Sequence, residues 1–321
     1  HASSSAGHHS ASSAEHHVAS SAAPAPQAAA DHGLVPTASE LETLSAVVGR
    51  LWQLDAPYRL EPGTGYRLNM QNRAASLQSG KDTSSSGLFE FVDQRKLLSA
   101  RCASEFLALL DNYERDTSKA EKSTAQGHTE ESSFAKCLMS TPHMKYVYNV
   151  LVQWKAVPAD YAAFARQVST IWFTVYGLSS HGPAASSGFE HTFVGEEKFD
   201  NKAKESTIIG LHNWLQFWRE EAAGRINYLG FVGDRQADSL VSVRFAWQDA
   251  DPDVETKSVS TFLVGSSPPF EMAMLTCAFL GFGGEAKVPG IYFGREGPVE
   301  LVAYSWNSHG KTLVRTAYLQ Q

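Results

Sequence analysis

The sequence predicts an α+β protein, and two textures of apolar spacing carry the prediction. Up to about residue 176, hydrophobic residues recur at intervals of three and four, the period of a helix with one buried face. After Gly177, short runs alternate apolar and polar residues between glycine-rich loops, the period of a half-buried antiparallel strand. Helices gathered ahead of strands separate this class from a strictly alternating parallel α/β arrangement. With 321 residues, 43% hydrophobic and 19% charged, the chain can bury a large core as one big domain or two lobes. We expect a tail over 1–35, a mainly helical lobe over 36–177 and an antiparallel-sheet lobe over 178–321.

Residues 1–35 are nearly all Ala, Ser and His and end in Ala23-Pro24-Ala25-Pro26, a composition that cannot bury enough apolar surface to offset the entropy of ordering. The pairs His8-His9 and His16-His17 would hold a metal ion only weakly on such a tail and carry no catalytic expectation. Order starts at Thr37-Ala38-Ser39-Glu40, a capping box, followed by Leu41, Leu44, Val48 and Leu51 at helical spacing, so a helix is expected over about 38–52. A second helix is expected after Asp93, through Leu97, Leu98, Cys102 and Phe106 to Leu109-Leu110-Asp111-Asn112-Tyr113-Glu114. The polar stretch Asp116 to Ser133 reads as a loop, and helices over 134–153 and 160–176 follow. Beyond Gly177, strands are expected at Val241 to Trp247, Val299 to Tyr304 and Thr312 to Tyr318. Two helices interrupt them, one from Leu211 to Ala223 closed by Gly224, the other after Ser267-Pro268.

Charge and cysteine content narrow the function classes. A net charge of -7 excludes a global positive field for nucleic acid, so any such site is local. No run approaches the roughly 18 apolar residues of a membrane span. Cys102, Cys137 and Cys277 are odd in number, far apart and without a C-x-x-C pair, and imply neither a disulfide nor a structural metal. Because the chain begins at His1 rather than Met, we expect a leading segment to have been removed, with a secreted compartment favoured and a cytoplasmic one left open.

The chemically suggestive residues gather in the second half: Ser187-Gly188-Phe189-Glu190-His191, Gly195-Glu196, Gly210-Leu211-His212-Asn213-Trp214, Lys257 and Thr316-Ala317-Tyr318. Two imidazoles and an ammonium suffice to cleave RNA without water: one group removes the 2′-OH proton, another protonates the departing 5′ oxygen, and a cation neutralises the phosphorane. Histidine suits both proton transfers because its unperturbed pKa lies near 6.5. Taken singly, each is as well explained by a hydrogen-bonded structural histidine or a solvated lysine. The spacing of His191 and His212 is no zinc signature.

The stretch Ser186-Ser187-Gly188-Phe189-Glu190-His191-Thr192-Phe193-Val194-Gly195-Glu196, followed by Gly210-Leu211-His212-Asn213-Trp214-Leu215-Gln216-Phe217, resembles the signature of the EndoU family of uridylate-preferring endoribonucleases. The resemblance continues through Lys257, Gly265-Ser266-Ser267-Pro268-Pro269-Phe270-Glu271 and Thr316-Ala317-Tyr318. It reaches back to Leu51-Trp52-Gln53-Leu54-Asp55, Leu109 to Glu114 and Ile171-Trp172-Phe173, covering about 36–321. It implies an EndoU-type catalytic lobe over 178–321, with His212 as base and His191 as acid (the reverse assignment left open). Lys257 is implied as the phosphorane cation, Glu190 and Glu196 as residues that orient the histidines or water, and Thr316 and Tyr318 as the uridine contacts. Thr316 and Tyr318 alternate with Ala317 and so share a strand face. Where the family commonly has proline after Thr-x-Tyr, this chain has Leu319.

The resemblance further implies a divalent cation, Mn2+ or alternatively Ca2+, with ligands unknown. Asp249, Asp251, Asp253 and Glu255 alternate as in an ion-binding loop, yet lack the glycine and terminal glutamate of an EF-hand, which favours a solvated loop. Single-stranded RNA is the expected substrate, DNA is not expected, and a monomer is. A catalytically weak RNA-binding protein on the same fold is the alternative, and a secreted interaction protein using its His/Ser tail is a third reading.

Overall fold

The computed structural model describes residues 34–76, 81–179, 182–200, 205–233, 239–248, 254–294 and 296–321. Of the expected tail only Leu34 and Val35 are among them; the two histidine pairs and Asp249, Asp251 and Asp253 lie outside the described residues. Residues 34–321 form one compact unit of the expected α+β class.

The first half is helical, with boundaries that differ from the expected ones for local reasons. The capping box forms, Thr37 N–H to Glu40 Oε2 at 2.7 Å and Glu40 N–H to Thr37 Oγ1 at 3.3 Å, but it closes a turn. Helix α1, Leu44–Asp55, starts one turn later under the Thr43 side chain. The single helix expected after Asp93 is two, α2 (Gln94–Ser99) and α3 (Ala103–Leu109), divided where Cys102 adopts a left-handed φ of 63°. The expected loop 116–133 gives way at Thr124, whose side chain caps α4, Ala125–Met139. That helix buries only Phe134 and Leu138, so it shows no apolar stripe to reveal it. Thr141 and Pro142 begin α5 (Pro142–Gln153), splitting the expected 134–153 helix, and Asp160 caps α6 (Tyr161–Phe173). Two short paired strands, β1 (Tyr66–Leu68) and β2 (Phe89–Val92), were not expected.

One sequence expectation is overturned outright: Cys102 and Cys137 form a disulfide. It tethers the start of α3 to the last turn of α4 across a sequence separation of 35, a proximity that exists only once those helices pack. Cys277 is free and buried.

The second half is built of antiparallel pairs and triplets. Strands β3 (Tyr176–Gly177) and β4 (Ala184–Ser186) pair, as do β5 (Glu196–Asp200) and β6 (Glu205–Ile209). Between them lies a short π-helix, Glu190–Val194. Helix α7 (Trp214–Ala222) is followed by the sheet β7 (Ile226–Phe231), β8 (Leu240–Gln248) and β9 (Val254–Leu263). Helix α8 (Pro268–Gly281) precedes the last sheet, β10 (Ala286–Phe293), β11 (Glu296–Ser308) and β12 (Lys311–Gln320). Every residue of α8 from Pro268 to Phe279 is buried, as a helix apolar on all sides must be, and it packs on α1, α5, β11 and β12. Strand β9 contacts both β6 and β12, and the π-helix contacts β12. The two histidine segments are thereby set between the two triple-stranded sheets.

Candidate active site

His191 is carried by the π-helix, whose wide turn is closed by Gly195 N–H to Glu190 O at 2.9 Å. Such turns are rare and concentrate at functional sites. Its start is fixed by Ser187, which accepts the Glu190 N–H at 3.1 Å through Oγ and the His191 N–H at 3.0 Å through its carbonyl. The His212 segment crosses directly beside it: Leu211 N–H donates to His191 O at 3.1 Å and His212 N–H to Thr192 O at 2.7 Å. So close an approach requires Gly210, with φ of 69°, because any Cβ there would run into the His191 carbonyl. The Leu211 carbonyl is held by the Ser260 hydroxyl of β9, and the Ala317 N–H of β12 reaches Thr192 Oγ1 at 3.3 Å.

These segments form one wall of an open cleft of about 840 Å³ lined by His191, His212, Lys257, Thr316 and Tyr318 among others. Five of the seven residues singled out in the sequence therefore meet there. Glu196 lies just behind: fully buried, it accepts the His191 Nδ1–H at 2.6 Å, which leaves Nε2 as the imidazole position free for proton exchange. Glu190 does not line the cleft. It is fully buried, and burial first, then Glu196 and Glu121, push its carboxyl well above the usual carboxylate range. Both of its carboxyl oxygens are buried without a hydrogen-bond partner among the described residues.

The electrostatics distinguish the two histidines. Burial lowers the pKa of His191, with Arg315 and Lys257 acting the same way, but the Glu196 carboxylate opposes them. His212 is driven well below its ordinary value by burial, Lys257 and His191, opposed only by a hydrogen bond to the Thr261 backbone. Lys257 is itself lowered by burial to about 8. His191 thus holds a proton the more readily, while His212 is kept neutral, the form in which an imidazole can act as a base.

Tyr318 stacks on His212, ring centroids 4.5 Å apart and planes at 14°, so one face of the phenol is taken by the imidazole. Thr316 Oγ1 is buried with no hydrogen-bond partner among the described residues. Arg315 also lines the cleft, with Nη1 at 3.3 Å from Ser186 Oγ and 3.9 Å from Glu196 Oε2. Strict alternation would send it to the other face from Thr316. The register slips there, Tyr304 facing Thr316 but Ser305 facing Val314, and this bulge brings Arg315 round. Lys198 is a further cleft cation that the sequence did not single out. Among the described residues no three or more His, Cys, Asp or Glu side chains gather as a metal site.

Comparison with known proteins follows the same lines. A family model described as endoribonuclease XendoU matches residues 43–319. The uridylate-specific endoribonuclease C of Danio rerio is 38% identical over 249 residues, 74% of this chain and 77% of that protein. The poly(U)-specific endoribonuclease of Xenopus tropicalis is 35% identical over 247 residues, 74% of this chain and 80% of that one. The solved structure of XendoU, described as a splicing independent snoRNA processing endoribonuclease, superposes with a TM-score of 0.70 at 31% identity. It covers 86% of this chain and 96% of its own.

Proposed function

Since this chain belongs to the XendoU family of endoribonucleases, we propose that it cleaves single-stranded RNA on the 3′ side of uridines, by transesterification, in the cleft that holds His191, His212 and Lys257. The observation that carries the reading is the main-chain lock between the two histidine segments, which presents both imidazoles to one cavity. His212, kept neutral, takes the 2′-OH proton; O2′ attacks phosphorus; the bond to O5′ breaks, and His191, the more readily protonated, supplies the proton to that oxygen. The products are a 2′,3′-cyclic phosphate and a 5′-hydroxyl, and no water is consumed. Glu196 stabilises the protonated His191, and Lys257 neutralises the phosphorane charge. Incubation with a short fluorescent RNA containing one uridine, with product ends identified, tests the reaction. Hydrolysis to a linear phosphate in the first step would reject it. Runs with manganese, calcium or EDTA test the ion requirement, and no step is assigned to an ion.

Uridine selection rests on Thr316 and Tyr318. The unpaired Thr316 hydroxyl can meet the O2 or N3–H edge of the base, and Tyr318 borders the same space. A hydrogen bond left unmade in a buried site costs about 1–3 kcal/mol. Thr316→Ala should therefore narrow the preference for U over C in matched RNAs. Equal loss on both substrates would assign Thr316 to structure alone.

A further inference from the structure

Glu271 belongs to the motif Gly265 to Glu271 but not to the cleft, and the reaction above gives it no part. It sits buried in the first turn of α8, between two groups. Its Oε1 is 2.5 Å from Ser266 Oγ, and its Oε2 accepts the Asn213 Nδ2–H at 3.1 Å. Ser266 Oγ also lies 2.7 Å from the Leu263 carbonyl. A serine has one hydroxyl proton, and here two acceptors crowd its oxygen. The carbonyl can only accept. All three contacts are bonded together in one arrangement: the serine donates to Leu263 O, and Glu271, carrying a proton, donates to the serine.

Asn213 is equally constrained. Its Oδ1 accepts Leu215 N–H at 3.0 Å and Gln216 N–H at 3.1 Å, capping α7, which leaves the Nδ2 end for Glu271. The Trp214 indole N–H donates to Ser266 O at 2.9 Å, a second tie to the same loop. Asn213 directly follows His212. A narrow cavity lined by Glu271, Met274, Ala317 and Tyr318 also reaches His212.

We propose that Glu271 is a neutral carboxylic acid that positions His212, by bridging Ser266 to the Asn213 cap of α7. The environment agrees with the proton count. Burial raises the Glu271 carboxyl from 4.5 to about 8, and Asp55 adds to the rise. Asp55 in turn faces His143 at 3.3 Å, and His212 and Tyr318 are the other titratable groups on the shared cavity. The contacts with Ser266 and Asn213 favour the ionised form, as a helix N-terminus does, but burial outweighs them. The role in catalysis rests on the assignment of His212 made above; the proton on Glu271 does not.

Glutamine reproduces the proposed state, one donating arm toward Ser266 and one accepting arm toward Asn213. A carboxyl with a raised folded pKa lends stability that is full below 4.5 and declines as pH rises to about 8. The melting-temperature difference, Glu271→Gln minus wild type, should therefore grow steadily over that range. A difference constant with pH would overturn the neutral acid. Stability carries the pH readout because Lys257 titrates in the same range and would blur a rate profile. At fixed neutral pH, Glu271→Ala should lower kcat on the order of tenfold to a hundredfold, as a displaced reacting group does. KM should hold, and Glu271→Gln should restore kcat. An unchanged kcat in a folded Glu271→Ala protein, or no restoration by glutamine, would overturn positioning. If wild type itself fails to cut uridine RNA, the proposed function fails while the pH-linked stability difference still reads the proton.

Discussion

At the scale of single residues, the cleft works by unequal pressure on like groups. His191 and His212 start from the same chemistry and burial lowers both, but only His191 has a carboxylate, Glu196 at 2.6 Å, opposing that shift. Removing either imidazole should lower kcat by about 10²–10⁴-fold while folding survives, since a general acid or base contributes roughly that much. A near wild-type rate from His191→Ala or His212→Ala, in protein free of other nuclease, would end the two-histidine mechanism. Lys257 adds a pH signature. It is charged below about 8 and loses its proton above, so kcat/KM should fall as pH rises through about 8. Lys257→Arg, whose guanidinium keeps its charge, should be slow but should lack the Lys257 part of that fall. A limb of unaltered depth and position in the arginine variant would assign it elsewhere. The identities of these residues were legible in the sequence through a resemblance. Their inequality was not, because it arises from burial and from a neighbour that only folding brings up.

At the scale of elements, legibility followed the apolar stripe. Helices α1, α6 and α8 and strands β8, β11 and β12 announce themselves because one face or all faces are buried. Helix α4 does not, since its surface is mostly solvated and its start depends on the one Thr124 side chain. The break between α2 and α3 was equally hidden: Leu97, Leu98, Cys102 and Phe106 keep helical spacing across a residue that turns left-handed. The same residue supplies half of the Cys102–Cys137 disulfide, which cross-links α3 and α4. Breaking it by Cys102→Ser or Cys137→Ser should cost roughly 2–4 kcal/mol in a denaturant titration. Before reduction, the denatured wild type should offer one thiol, that of Cys277. Three titratable thiols in oxidised protein would show the bridge absent. Arg315 was missed for a comparable reason, since one inserted residue in β12 defeats an alternation rule that holds on either side of it.

At the scale of the whole molecule, an acidic chain gathers a few cations in one place. The net charge is -7, yet Lys198, Lys257 and Arg315 all line the cleft. Three phosphate contacts with a single strand give a log–log slope of affinity against salt of about -2. A slope steeper than about -6 would show a basic track extending well beyond the cleft. The main-chain lock between the histidine segments has a consequence for protein engineering at this scale. Imidazole spacing is inherited with two backbones rather than written in side chains, so the stretches around His191 and His212 constitute one unit of exchange. A chimera that takes the first stretch from one homologue and the second from another would split a ruler down its middle. One that carries both together, with the glycine between them, keeps the measure.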